Sequence, residues 1–118
     1  MRGTMLILRP HEARPEVKQF ARAPTLDELK TAIGGGYLEA IPGFFSIGYG
    51  GTVMNCVAMC DEDGKRRKLA INDAATIAWE HALRRQGSTL LTRDGTTTDH
   101  LVGNVIVLFG DREFTEAL

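Results

Sequence analysis

The chain has 118 residues, 43% of them hydrophobic and 25% charged, which is the make-up of a folded domain and excludes a disordered chain. A formal net charge of −1 counts against a protein that wraps duplex DNA, because many phosphate contacts require a basic excess. No apolar run approaches the ~18 residues that span a bilayer. Met1–Pro10 lacks the long apolar core and small-residue cleavage site of a signal peptide, so a cytoplasmic protein is expected.

In chain order, Met5-Leu6-Ile7-Leu8 reads as a first strand and Pro10 to Pro15 as a polar turn. Glu16 to Arg22 alternates polar and apolar residues with period two, the pattern of a half-buried strand, so the two form an N-terminal hairpin. A helix follows. Thr25 can cap it, with Glu28 completing a capping box, and Leu26, Leu29, Ala32 and Ile33 share one face before Gly34 stops it. Tyr37 to Ile41 is the next strand, with Tyr37, Glu39 and Ile41 on one face. After the turn at Pro42-Gly43, Phe44 to Tyr49 pairs back as a short strand, and Gly50-Gly51 is a loop.

Thr52 to Cys60 is β-prone and mostly apolar, as in a central strand. Asp61 to Gly64 reads as a hairpin turn, with Lys65 to Ile71 returning as a strand. Asn72 is placed to cap a second helix, Asp73 to Arg85, whose apolar face is Ala75, Ala78, Trp79, Ala82 and Leu83. Thr89 to Thr92 is expected to be extended, and 93–99 (RDGTTTD) to be a mobile polar loop. Leu101 to Phe109 reads as a long strand central to the sheet, and the polar tail from Gly110 onward is expected to fray. The whole, 1–118 with a core over roughly 4–110, is expected to be a single α+β domain. Its sheet is mixed, mainly antiparallel, of five or six strands, with two helices packed on it.

The order of GGGYLEAIPG, an apolar strand ending in CDEDGK, KLAIN before a helix, and HLVGNVIVLFG resembles a family of small phage and plasmid proteins known as domain of unknown function 3846. The matching residues are Gly35, Gly36, Tyr37, Glu39, Asp61 to Gly64, Leu69, Asn72, Val102, Gly103, Asn104 and Val107. The resemblance covers roughly 4–110. It implies a compact α+β domain carried on phages or mobile elements and no established activity. The chain departs from the family pattern in a longer 44–55 region and in the 93–99 loop.

No residue stands out as catalytic and no metal-ligand spacing is present, so neither a cofactor nor a metal is expected. Gly34-Gly35-Gly36 runs from helix into strand, whereas a phosphate loop runs from strand into helix, so the cluster is a C-cap and turn. Gly48, Gly50 and Gly51 flank Tyr49 in a flexible loop. A thiol nucleophile would need Cys56 or Cys60 beside His81 or His100, with Asp99 orienting the base. Both cysteines lie in an apolar strand on one face, ~13 Å apart and beyond disulfide reach, where thiols are inert core residues.

Lys65-Arg66-Arg67-Lys68 is the one dense basic run, and Arg84 and Arg85 could extend it. One function for it is phosphate binding, with Tyr37 or Tyr49 stacking on a nucleotide; the other is to charge an edge strand against aggregation. Tyr37 and Glu39 could share a ligand surface, and Asn104 is set for a bulge beside Gly103 or for a pocket. The function expected is that of a small non-enzymatic phage or mobile-element accessory protein, cytoplasmic in a bacterial host. It would bind a host protein, a defence-system component being one case. A nucleotide-binding module that sequesters a phosphorylated signal molecule is the alternative, and a nucleic-acid-binding regulator the weaker one. A homodimer is left open.

Overall fold

Five antiparallel strands in the order β2-β1-β7-β6-β3 form the main sheet, and two more, β4 and β5, form a separate ribbon. The computed structural model describes every residue from Met1 to Leu118. The strands are β1 (Gly3–Leu8), β2 (Glu16–Phe20), β3 (Leu38–Ala40), β4 (Ser46–Tyr49), β5 (Thr52–Asn55), β6 (Val57–Asp61) and β7 (Val105–Gly110). The helices are α1 (Leu26–Ala32), α2 (Asp73–Arg85) and α3 (Arg112–Glu116). No helix is long and apolar enough to cross a membrane.

The middle strand, β7, is buried on both faces, which is why its sequence VIVLF does not alternate. Val105, Val107 and Phe109 join Leu6, Ala58, Trp79 and Leu83 in a core beneath α2 and the ribbon. Ile106 and Leu108 join Met5, Ile7, Ile33 and Phe114 in a second core on the opposite face. Each large apolar side chain buried in this way contributes about 1.5–3 kcal/mol. The architecture is thus a sheet with α2 and the ribbon on one side and α1 and α3 on the other.

The N-terminal hairpin, α1 and α2 form where the sequence places them. Thr25 accepts from the Glu28 amide at 3.1 Å and Glu28 accepts from the Thr25 amide at 2.9 Å, closing the capping box. Asn72 accepts from the Ala75 amide at 3.0 Å at the start of α2.

The structure departs from the expected elements at several points, among them the start of 89–92, where Thr89-Leu90 is a turn. The run 52–60 is not one strand: it breaks at Cys56, whose amide donates to Phe45 at 2.9 Å, so that β5 pairs with β4 and β6 enters the main sheet. Phe44 to Tyr49 therefore pairs forward with β5 and not back on β3.

Lys65 to Ile71 is not a strand either. The Gly64 amide donates to Asp61, Arg67 to Asp63 and Leu69 to Gly64, winding the segment into successive turns. Of this stretch only Ile71 makes a bridge, to Val102. Another correction is that β7 begins at Val105. Gly103, at φ +69°, donates to Ala70 at 2.8 Å and turns the chain before the strand starts.

A further correction is at the C-terminus. The tail does not fray but forms α3, capped by Asp111, whose Oδ1 accepts from the Phe114 amide at 2.9 Å, and Phe114 is fully buried. The 93–99 loop carries hydrogen bonds of its own and to α2. Asp94 accepts from the hydroxyls of Thr92 and Thr96, and Arg84 donates to the Gly95 carbonyl.

Candidate functional site

Arg84 and Arg85 do not extend the basic run, because they lie at the far end of α2 from it. Arg66 pairs with Asp63 at 3.0 Å, and Arg67 pairs with the buried carboxylate of Asp61 in the turns after β6. Arg84 donates from Nε to the Gly95 carbonyl at 3.0 Å, and Arg85 donates to Ser46 Oγ at 2.8 Å. These last two lie at the C-terminal end of α2, while the turns carrying Arg66 and Arg67 lead into its N-terminus. A 13-residue helix separates them by about 20 Å. The four guanidinium groups therefore do not converge on one phosphate.

Tyr49 packs its ring on Phe109, centroids 5.4 Å apart, and is part of the core layer. Tyr37 is exposed and lies under the Lys30 ammonium at 5.8 Å; its carbonyl accepts from the Glu62 amide, between the Asp61 and Asp63 that hold Arg67 and Arg66. Asn104 donates to the Ala32 carbonyl at 3.1 Å, so it secures the end of α1 and makes no bulge in β7.

Many of the residues that carry the family resemblance meet at the corner where the turns after β6 reach the start of α2 and Gly103. Gly36, at φ +87°, lies against the Asp61 carboxylate, where an added Cβ would fall 2.6 Å from Oδ2. Asp61 also accepts from the Asp63 amide at 2.9 Å. Leu69 packs on Gly103. Asn72, wholly buried, donates to both Leu8 and Gly103 carbonyls at 2.8 Å. Every buried side-chain polar atom in the chain has a hydrogen-bond partner, so this corner is a structural knot holding β6, α2 and β7 together.

Glu39 alone of the eight candidate residues of the sequence reading lines a cleft of about 310 Å³ between β3, the end of β6, α2 and the 99–102 loop. Trp79, Ile41, Leu101 and Cys60 make its apolar surface. Trp79 is fixed there because its indole Nε1 donates to the Pro42 carbonyl at 2.7 Å. Glu39, Glu62, Asp99, Lys65 and His100 supply the polar lining. Lys65 is ion-paired with Asp99, and the His100 amide donates to Asp99 Oδ1 at 2.7 Å. Lys65 holds the Asp99 carboxyl below its usual range, with the His100 amide contributing.

Cys60, Asp99 and His100, weighed in the sequence as parts of a nucleophilic site, do share this cleft, but no hydrogen bond joins the thiol to the imidazole. Burial first, then the charges of Glu39 and Asp61, push the Cys60 thiol up to about 11. Burial pushes Cys56 up to about 12. A thiolate nucleophile needs the opposite surroundings. Cys56 points into the core with its thiol 3.7 Å from the Phe44 carbonyl, and His81 is exposed on α2. The carboxylates at the cleft outnumber its one lysine, so its chemistry suits a cation resting on an apolar floor. The sequence signal for this site was slight: Glu39 alternates with Leu38 on an edge strand, but Trp79 and residues 99–102 arrive from distant parts of the chain.

The family described as Domain of unknown function (DUF3846) matches residues 1–117, and the chain belongs to it. No curated protein and no solved structure matches the chain.

Proposed function

We propose that the chain is a non-enzymatic accessory protein of a phage or mobile element and acts by binding a host protein through the cleft beside β3. The origin and the role follow the family resemblance, with a defence-system protein as the narrower case of the target. The observation that carries the binding reading is the lining of the cleft: Glu39, Glu62 and Asp99 around Trp79, Ile41 and Leu101, with Lys65 already paired to Asp99. An apolar surface with convergent polar groups is what a recognition site requires, and the excess of carboxylates selects a basic group. Burial, with the charges of Glu39 and Asp61 next, keeps the neighbouring Cys60 protonated, which supports binding over thiol chemistry.

The test is affinity capture from a bacterial lysate with the wild-type chain and with the double substitution Glu39→Lys and Glu62→Lys, followed by mass spectrometry of what is retained. A host protein held by the wild type and released by the double variant is the expected result. Equal retention by both would remove the cleft as the site. A retained nucleotide-sized mass, or turnover of any compound by the pure protein, would overturn the reading altogether.

A further inference from the structure

The cleft opens beside a sheet edge whose hydrogen-bonding groups are unpaired. Strand β3 is last in the sheet, bonded only to β6. The Glu62 amide donates to the Tyr37 carbonyl at 2.8 Å and the Ile41 amide donates to Ala58 at 3.0 Å. In an antiparallel ladder these groups alternate. Tyr37, Glu39 and Ile41 therefore direct their backbone groups toward β6, and Leu38 and Ala40 direct theirs outward.

The opposite edge is different in character. In β2, Glu16 pairs with both Arg9 and Lys18, and alternating charges of both signs close that edge to a further strand. The β3 edge has no cation of its own, and its one charged residue is Glu39.

We propose that β3 receives an extended segment of the partner as an added antiparallel strand, bonded to the Leu38 and Ala40 backbone, with a lysine or arginine of that segment opposite Glu39. This rests on the reading of the cleft as a partner site and specifies the partner's chemistry there. A residue opposite Glu39 occupies a non-hydrogen-bonded position, where side chains on the same face come within about 5 Å at Cβ. That face is the one on which α2 and Trp79 lie, so the basic side chain enters the cleft over the indole, toward Glu62 and Asp99. Backbone pairing supplies affinity, and the side chain opposite Glu39 supplies selectivity.

The probes are two capped heptapeptides of alternating valine and threonine, one with a central arginine and one with a central glutamate, titrated into ¹⁵N-labelled protein. The arginine peptide should shift the amides of Leu38, Glu39, Ala40 and Cys60 and bind roughly tenfold more tightly than the glutamate peptide. Glu39→Lys should invert that preference. Ala40→Pro should abolish binding of both, because it removes an outward N–H and leaves the ladder to β6 intact.

Equal binding of the two peptides, saturable shifts on β2 and not β3, or no shift at peptide concentrations on the order of 1 mM would overturn strand addition. If Ala40→Pro does not fold, the two peptides with Glu39→Lys decide alone. Lysate capture separates this proposal from the one beneath it. A partner lost by the Glu39→Lys and Glu62→Lys double variant but kept by a folded Ala40→Pro leaves the cleft as the site and rules out strand addition.

Discussion

The side-chain amide of Asn72 donates to the Leu8 carbonyl at 2.8 Å, joining the first turn of α2 to the end of β1, 64 residues earlier. The same amide donates to Gly103, and the Asn72 oxygen caps the helix, so one buried side chain holds three elements. Asn72→Ala removes the cap and the side-chain donor that the Leu8 and Gly103 carbonyls share. The expected loss is about 3 kcal/mol, read as a lowered urea midpoint with helix content as the probe. A loss below about 1 kcal/mol, the worth of a cap alone, would mean that the two carbonyls find other donors.

Gly35 and Gly36 separate backbone strain from packing. Both have positive φ, +92° and +87°, but a Cβ at Gly35 meets nothing within 4 Å and one at Gly36 strikes the Asp61 carboxylate. Alanine at either position is strained, by about 1–3 kcal/mol. At Gly36 it must also displace Asp61 from Arg67. Gly36→Ala should therefore be the more damaging in parallel denaturant titrations. Equal losses would show that the ion pair adjusts without cost.

What was legible in the sequence was local. A cap and the amide that donates to it lie three residues apart in both Thr25–Glu28 and Asn72–Ala75, so the signal and the structure occupy the same short window. The break at Cys56 depends on the carbonyl of Phe45, just before the facing strand of the ribbon, and β-propensity does not register it. The basic run after β6 failed as a strand for a related reason. Asp61 draws Arg67 and the Asp63 amide around its carboxylate, and winding the chain around that charge gives turns in place of alternation. Of the candidate site the sequence offered Glu39 as a ligand residue and Cys60, Asp99 and His100 only as parts of a nucleophilic site, because the cleft is built by bringing α2 and residues 99–102 against β3, and no single window contains it.

Phe114 gives a direct test of the C-terminal helix. Its ring covers the ends of β1 and β7, where an added Cβ would lie 2.3 Å from it at Gly3 and 2.9 Å at Gly110. The glycines leave the space that the ring fills. Phe114→Ala opens a cavity in the second core, and the expected loss is about 3–5 kcal/mol. Hydrogen exchange at β1 and β7 amides should quicken along with it. If Phe114→Ala leaves the thermal midpoint unchanged, the tail is frayed in solution.

The acid limb of stability should carry the signature of Glu28. The Arg22 guanidinium, 2.6 Å away, is the main cause, with the Thr25 amide next, and together they hold the Glu28 carboxyl at about 2, against a usual value of 4.5. A carboxyl depressed in the folded state stabilises it fully above the unfolded pKa, and that contribution is lost as pH falls through the folded one. The window is therefore from about 4.5 down to about 2. Glu28→Gln keeps an acceptor for the Thr25 amide and removes the charge facing Arg22. The variant should be less stable than the wild type at pH 7, with the gap closing as the pH approaches 2. Urea midpoints of both proteins across this range measure it. A gap that stays constant with pH would show that the Arg22–Glu28 pair is not held in solution and that the cap alone starts α1.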